Sequence, residues 1–98
     1  MLFMVIEKFK NGDTRAVGNR FQGRGRMLPG DVKYISSWVD AKEIRCFQLM
    51  EAPNAEALKP WVARWEDLVD LEIVAVETSQ EFWAHAERVS RATRRRAR

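Results

Sequence analysis

Two strand-like runs stand almost end to end in this chain, VKYISSWVDA (32–41) and IRCFQLMEA (44–52), with only Lys42 and Glu43 between them. Both are rich in β-branched, aromatic and other large apolar residues, which suit a pleated, half-buried surface. With a link this short, an antiparallel hairpin is the simplest connection. A loop of two or four residues pairs Asp40 with Arg45, Val39 with Cys46, Trp38 with Phe47, Ser37 with Gln48, Ser36 with Leu49 and Ile35 with Met50. Each pair is chemically matched, whereas a three-residue loop would shift the register. Side-chain alternation then puts Tyr34, Ser36, Trp38, Phe47 and Leu49 on one face, and Ile35, Ser37, Val39, Cys46, Gln48 and Met50 on the other. Neither face is polar.

The flanking sequence supplies the rest of the layout. LFMVIEKF (2–9) reads as a strand that ends at the turn signal Asn11-Gly12-Asp13. From Asp13 or Thr14 to about Leu28, Val17, Phe21 and Leu28 fall near one helical face, although Gly18, Gly23 and Gly25 weaken the helix. NAEALKPWVARWEDLV (54–69) opens on an Asn cap and repeats Leu58, Trp61, Trp65 and Leu68 at helical spacing, with Pro60 bending the first turn or delaying the start to Lys59. DLEIVAVE (70–77) is a fourth strand, and a terminal helix follows from a Ser79 cap over 79–96.

The order βαββαβ plus a helix in 98 residues predicts an α+β, ferredoxin-like fold with a four-stranded antiparallel sheet. The segments MLFMVIEKFKNGD, GRMLPGDVKYISSWV, RCFQLMEA and WVARWEDLVDLEIVAV together resemble a small bacterial family of uncharacterised proteins in the dimeric α/β-barrel superfamily. That resemblance covers residues 1 to about 78 and leaves 79–98 as a C-terminal helix with an arginine-rich tail. It implies the fold and a dimer, and brings no catalytic residues to carry over.

A homodimer also follows from the alternation itself. The first strand has Phe3, Val5 and Phe9 on one side and Leu2, Met4 and Ile6 on the other. Two helices and a tail helix cover one side of such a sheet, so the second apolar face is expected to meet a symmetry mate.

Charge and cysteine usage exclude several function classes. The formal charge of +3 resides in RVSRATRRRAR (88–98), which has six Arg and no acid, leaving a net of −3 over residues 1–87. The tail reads as a solvated helix end, with polyanion binding the weakest of the functional readings, so nucleic acid is not an expected partner. Cys46 has no second cysteine to bridge and sits among apolar neighbours, where a thiol behaves as a small hydrophobe. His85 stands without a ligand constellation, so neither a metal nor a cofactor is expected. The opening MLFMVIEKFKNGD has no basic region and no small-residue cleavage site, and no run reaches span length. No membrane association is expected, and the cytoplasm is the expected location.

What remains is a pocket. The Trp61/Trp65 pair is core packing or a stacking wall. Tyr34, Ser36 and Trp38 on one face, or Ser37, Cys46 and Gln48 on the other, supply the few polar groups of an otherwise apolar site. The candidate ligand-binding residues are therefore Tyr34, Ser36, Trp38, Cys46, Gln48, Trp61 and Trp65. Glu7, on a central strand, must reach the strand rim or pair with an Arg, since a lone buried acid is costly. Two functions compete: a pocket for a small apolar or aromatic ligand, with cofactor-independent chemistry by analogy to the superfamily, and a non-catalytic ligand-sensing or protein-interaction dimer.

Overall fold

The computed structural model describes residues 1–96, with side chains through Ser90. Strand β1 (Leu2–Phe9) runs through the middle of the sheet, antiparallel to β3 (Arg45–Glu51) on one side and β4 (Val69–Val76) on the other. Strand β2 (Lys33–Asp40) pairs with the outer side of β3, giving the order β2-β3-β1-β4. With helices α1 (Thr14–Arg24), α2 (Lys59–Trp65) and α3 (Ser79–Arg96), the chain is an α+β protein of ferredoxin-like topology.

Alternation along β1 decides which face meets the helices. Phe3, Val5 and Glu7 are buried, while Leu2, Met4 and Ile6 between them are half-buried. The core gathers on the odd-numbered side of β1, where Phe3, Val5, Met50 and Val69 pack with Leu58, Trp61 and Trp65. Leu71, Ile73 and Val17 close its margins.

The hairpin keeps the expected register from Asp40↔Arg45 to Ser36↔Leu49, across a loop of four residues, 41–44. Asp40 organises that loop: its Oδ1 accepts the backbone N–H of Lys42 (3.1 Å) and Glu43 (3.3 Å), and its Oδ2 accepts from Arg45 at 2.9 Å. Beyond Ser36 the register departs from expectation, because a β-bulge makes Tyr34, not Ile35, the partner of Met50. One extra residue moves Tyr34 to the helix-covered face.

At the helix ends, α1 stops earlier than expected and α3 is capped by a different residue, whereas the Asn54 cap and the delayed start at Lys59 are as expected. Helix α1 ends at Arg24 instead of about Leu28, because Gly25 takes φ 67° and its N–H closes onto the Phe21 carbonyl at 2.7 Å. The stretch after Asn54, whose side chain accepts from Ala57 N–H at 3.0 Å, begins as a 3-10 turn, and α2 starts at Lys59 with Pro60 in its first turn. The acceptor at the start of α3 is the Thr78 hydroxyl, which receives the Glu81 N–H at 3.0 Å, not the expected Ser79.

Helix α3 does not lie on the sheet as a cover. Phe82, Trp83 and Val89 are 47%, 67% and 51% exposed. The molecule measures 62 × 32 × 18 Å and its radius of gyration is 17.6 Å, against about 13 Å for a compact domain of this size. An 18-residue helix is about 27 Å long, and α3 projects as an arm. The sheet face away from α1 and α2 therefore lies open, with Leu2, Met4, Ile6, Phe47 and Leu49 half-buried and Trp38 and Val74 exposed.

Candidate functional site

A cavity of about 230 Å³ lies between the sheet and the α1–α2 side. Its sheet wall consists of Glu7 and Phe9 of β1, Cys46 and Gln48 of β3, and Ser37 and Val39 of β2, and Phe21, Arg26, Trp61 and Trp65 close it from the other side. Strand register explains the sheet wall: Val39, Cys46 and Glu7 are successive cross-strand partners, and so are Ser37, Gln48 and Val5 one step along.

The opposite wall is held by hydrogen bonds to the chain segment after α1. Trp61 and Trp65, four residues apart and so on one face of α2, donate their indole N–H groups to the carbonyl oxygen of Arg26 at 2.9 and 3.0 Å. Arg64 donates to the neighbouring Met27 carbonyl. Met27 has φ 59°, in the left-handed region, which turns the segment back after Gly25. Arg20 of α1 clamps Asp67 with two bonds of 2.6 and 2.7 Å and donates to the Arg64 carbonyl at 3.0 Å, its guanidinium 5.6 Å from the Trp65 ring centre. The clamp holds the Asp67 carboxyl down at about 2.

The Arg26 side chain is fixed independently of its carbonyl. Its guanidinium lies 3.6 Å from the centre of the Tyr34 ring and 5.1 Å from that of Phe21, and its Nε donates to Gln48 Oε1 at 3.3 Å. Tyr34 is oriented in turn by a 2.6 Å hydrogen bond between its hydroxyl and Ser37 Oγ.

Glu7 is the chemically unusual residue. It is 4% exposed, and its Oε1 has no hydrogen-bond partner. Burial pushes its carboxyl up to about 7, and the Arg26 charge opposes that rise. Glu7 is thus neither at an exposed strand rim nor in a direct ion pair among the described residues, contrary to both sequence-based expectations. Beside it, burial and then the Glu7 charge push the Cys46 thiol up to about 11, which denies it thiolate character near neutral pH.

Of the seven candidate residues, Cys46, Gln48, Trp61 and Trp65 converge on this cavity. Tyr34 supports it from behind Arg26, a place it owes to the bulge. Ser36 and Trp38 do not join them: they pair with Leu49 and Phe47 on the open face, and Trp38 is 55% exposed. Ser37, expected as a pocket polar group beside Cys46 and Gln48, lines the cavity with them; Phe21 carries only a helical-face signal in the sequence, and Arg26, in QGRGRM, carries no periodic signal at all. His85 is exposed on α3, and among the described residues no group of three or more His, Cys, Asp or Glu is placed to hold a metal ion.

A family described as a domain of unknown function, DUF3303, matches residues 1–90. The chain belongs to the DUF3303 family. No curated protein and no solved structure matches it. The DUF3303 match runs past the expected limit near residue 78 into α3, so it includes the sheet and the part of the projecting helix up to residue 90. It includes every residue that lines the cavity of this DUF3303 chain. Among the described residues no helix is long and apolar enough to cross a membrane.

Proposed function

We propose that this DUF3303 chain binds a small apolar or aromatic molecule in the cavity between its sheet and α1–α2, and does so as a homodimer. The observation that carries the reading is a buried carboxyl with an unpartnered oxygen in a cavity lined by Phe9, Phe21, Trp61 and Trp65. Ligand sites are mostly apolar with a few convergent polar groups, and an unsatisfied buried oxygen gains most from a ligand donor. At about 230 Å³ the cavity is below the 300–1,000 Å³ or so of drug-sized sites, which favours a ligand of one or two rings.

The open sheet face supports the dimer. Leu2, Met4, Ile6, Phe47, Leu49, Trp38 and Val74 make a broad apolar surface, and two such sheets packed face to face form the dimeric α/β barrel that the sequence resemblance implies. Titration of the purified protein with 2-naphthol, followed by indole fluorescence, tests the pocket. Saturable quenching with a stoichiometry of one per chain is expected; a linear response across the soluble range rejects the site.

A second reading rests on α3. Its exposed Phe82, Trp83 and Val89 favour a non-catalytic dimer that engages a partner protein. Of the arginine-rich tail behind the polyanion reading, the residues from Arg91 on lie outside those whose side chains are described.

A further inference from the structure

Glu7 and Arg26 differ from every other polar group around the cavity in what they can do to a bound molecule. Glu7 has an uncommitted oxygen near the end of a central strand that is paired on both sides. Arg26 bonds Gln48 through Nε, so that bond leaves the two terminal NH₂ groups of its guanidinium to be offered elsewhere. Stacking on Tyr34 holds that cation in place. Cys46 is a protonated thiol near neutral pH, Ser37 is engaged by Tyr34, and among the described residues no histidine or second carboxylate lines the cavity. Nucleophilic catalysis and paired-carboxylate hydrolysis therefore lack their groups. What is present is one proton carrier and one fixed cation in an aromatic-lined pocket.

Resting on the ligand-pocket reading above, we infer that the cavity catalyses proton transfer at the carbon next to the carbonyl of a small one- or two-ring ketone, with Glu7 as the base and Arg26 holding the enolate oxygen. The ionised Glu7 carboxylate takes the α-proton. The C–H electron pair becomes the C=C bond of the enolate, and the carbonyl π pair moves onto oxygen, where the Arg26 guanidinium stabilises it. The protonated Glu7 then returns the proton to the same carbon or, where a conjugated double bond extends the enolate, to its far end, shifting the double bond. Every atom is conserved, and no oxidant, reductant or second substrate is consumed. Burial has placed the carboxyl near neutrality, where a proton carrier can work in both directions. The charged or titratable groups that bear on Glu7 are Arg26, from the segment after α1, and Cys46, from β3.

The test follows α-hydrogen exchange of 1-indanone and 2-tetralone in D₂O by proton NMR, with indole quenching by the same ketones read in parallel. The wild-type chain should accelerate exchange of at least one ketone by on the order of 10²-fold over buffer. The acceleration should rise with pH through an apparent pKa near 7. Glu7→Gln should lose it while ketone quenching, even if weakened, remains saturable, and Arg26→Gln should slow exchange by more than it weakens binding. Saturable quenching without exchange, or equal exchange by Glu7→Gln, overturns proton transfer and leaves the ligand pocket standing. Neither quenching nor exchange removes both for this ligand class. Should Glu7→Gln fail to fold, the wild-type pH profile decides: a flat profile, or one without the step near 7, overturns the role given to Glu7.

Discussion

Trp61 and Trp65 share a single acceptor, the carbonyl oxygen of Arg26, at 2.9 and 3.0 Å. That shared bond joins the best-formed helical stripe of the sequence to its least regular segment, and it sets one wall of the cavity. Trp65→Phe removes one of the two donors and keeps most of the ring volume, so a loss of about 1 kcal/mol is expected. Trp65→Ala empties a buried site and should lose about 3–5 kcal/mol. Urea unfolding of both variants checks the ordering, and equal losses would show that the indole bond, not the packing, dominates. If the ring also touches ligand, folded Trp65→Phe will show a changed 2-naphthol response.

Glu7 gives the fold a pH dependence of unusual sign. Its carboxyl is raised from 4.5 to about 7, so between those values the unfolded chain has released a proton that the folded chain retains. Stability then falls as pH rises through that window and levels off above it. The difference amounts to about 3 kcal/mol as an order of magnitude. Glu7→Gln, which keeps the neutral form at every pH, should melt higher than wild type at pH 8 and close to it at pH 4.5. A wild-type melting temperature that climbs from pH 5 to pH 8 would contradict this.

Phe3 and Phe47 separate folding from assembly. Phe3 is 2% exposed in the core on the helix-covered face, whereas Phe47 lies half-buried on the open face. Phe3→Asp should abolish the folded state, as judged by circular dichroism. Phe47→Asp should leave a folded chain and shift its mass in light scattering toward the monomer value of 11.4 kDa. A wild-type mass of 11.4 kDa across dilution would remove the dimer altogether.

Cys46 should be a poor nucleophile despite lining a cavity. With its thiol pushed up to about 11, alkylation by iodoacetamide at pH 8 should run roughly 100-fold slower than for an unhindered cysteine. Glu7→Gln removes the neighbouring carboxylate that contributes to the rise, and should speed the reaction. Wild-type alkylation at the rate of free cysteine would mean that the thiol is neither buried nor beside a negative charge.

Sheet and helices were legible because their signals are periodic and local. Alternation in 32–41 and 44–52 set the hairpin register through Ser36, since a slip by one residue would exchange every side chain between faces. The spacing of Leu58, Trp61 and Trp65 marked the buried face of the second helix for the same kind of reason. The bulge that brings Tyr34 beneath Arg26 leaves no mark in the alternation, because one extra residue looks the same whether it is paired or bulged. Nor does composition say that Glu7 is buried with a free oxygen: this follows from its place on the central strand and from α2 closing over it. Arg26 is the extreme case, as its carbonyl, its stacking and its position at the cavity exist only once residues far apart in the chain have been brought together. The sequence by itself determined the elements, their pairing and the presence of two apolar sheet faces, because those follow from repeat distances along the chain. Tertiary structure alone decided which face the helices cover, where α3 goes and which polar groups meet, because those depend on close packing between segments that no local spacing encodes.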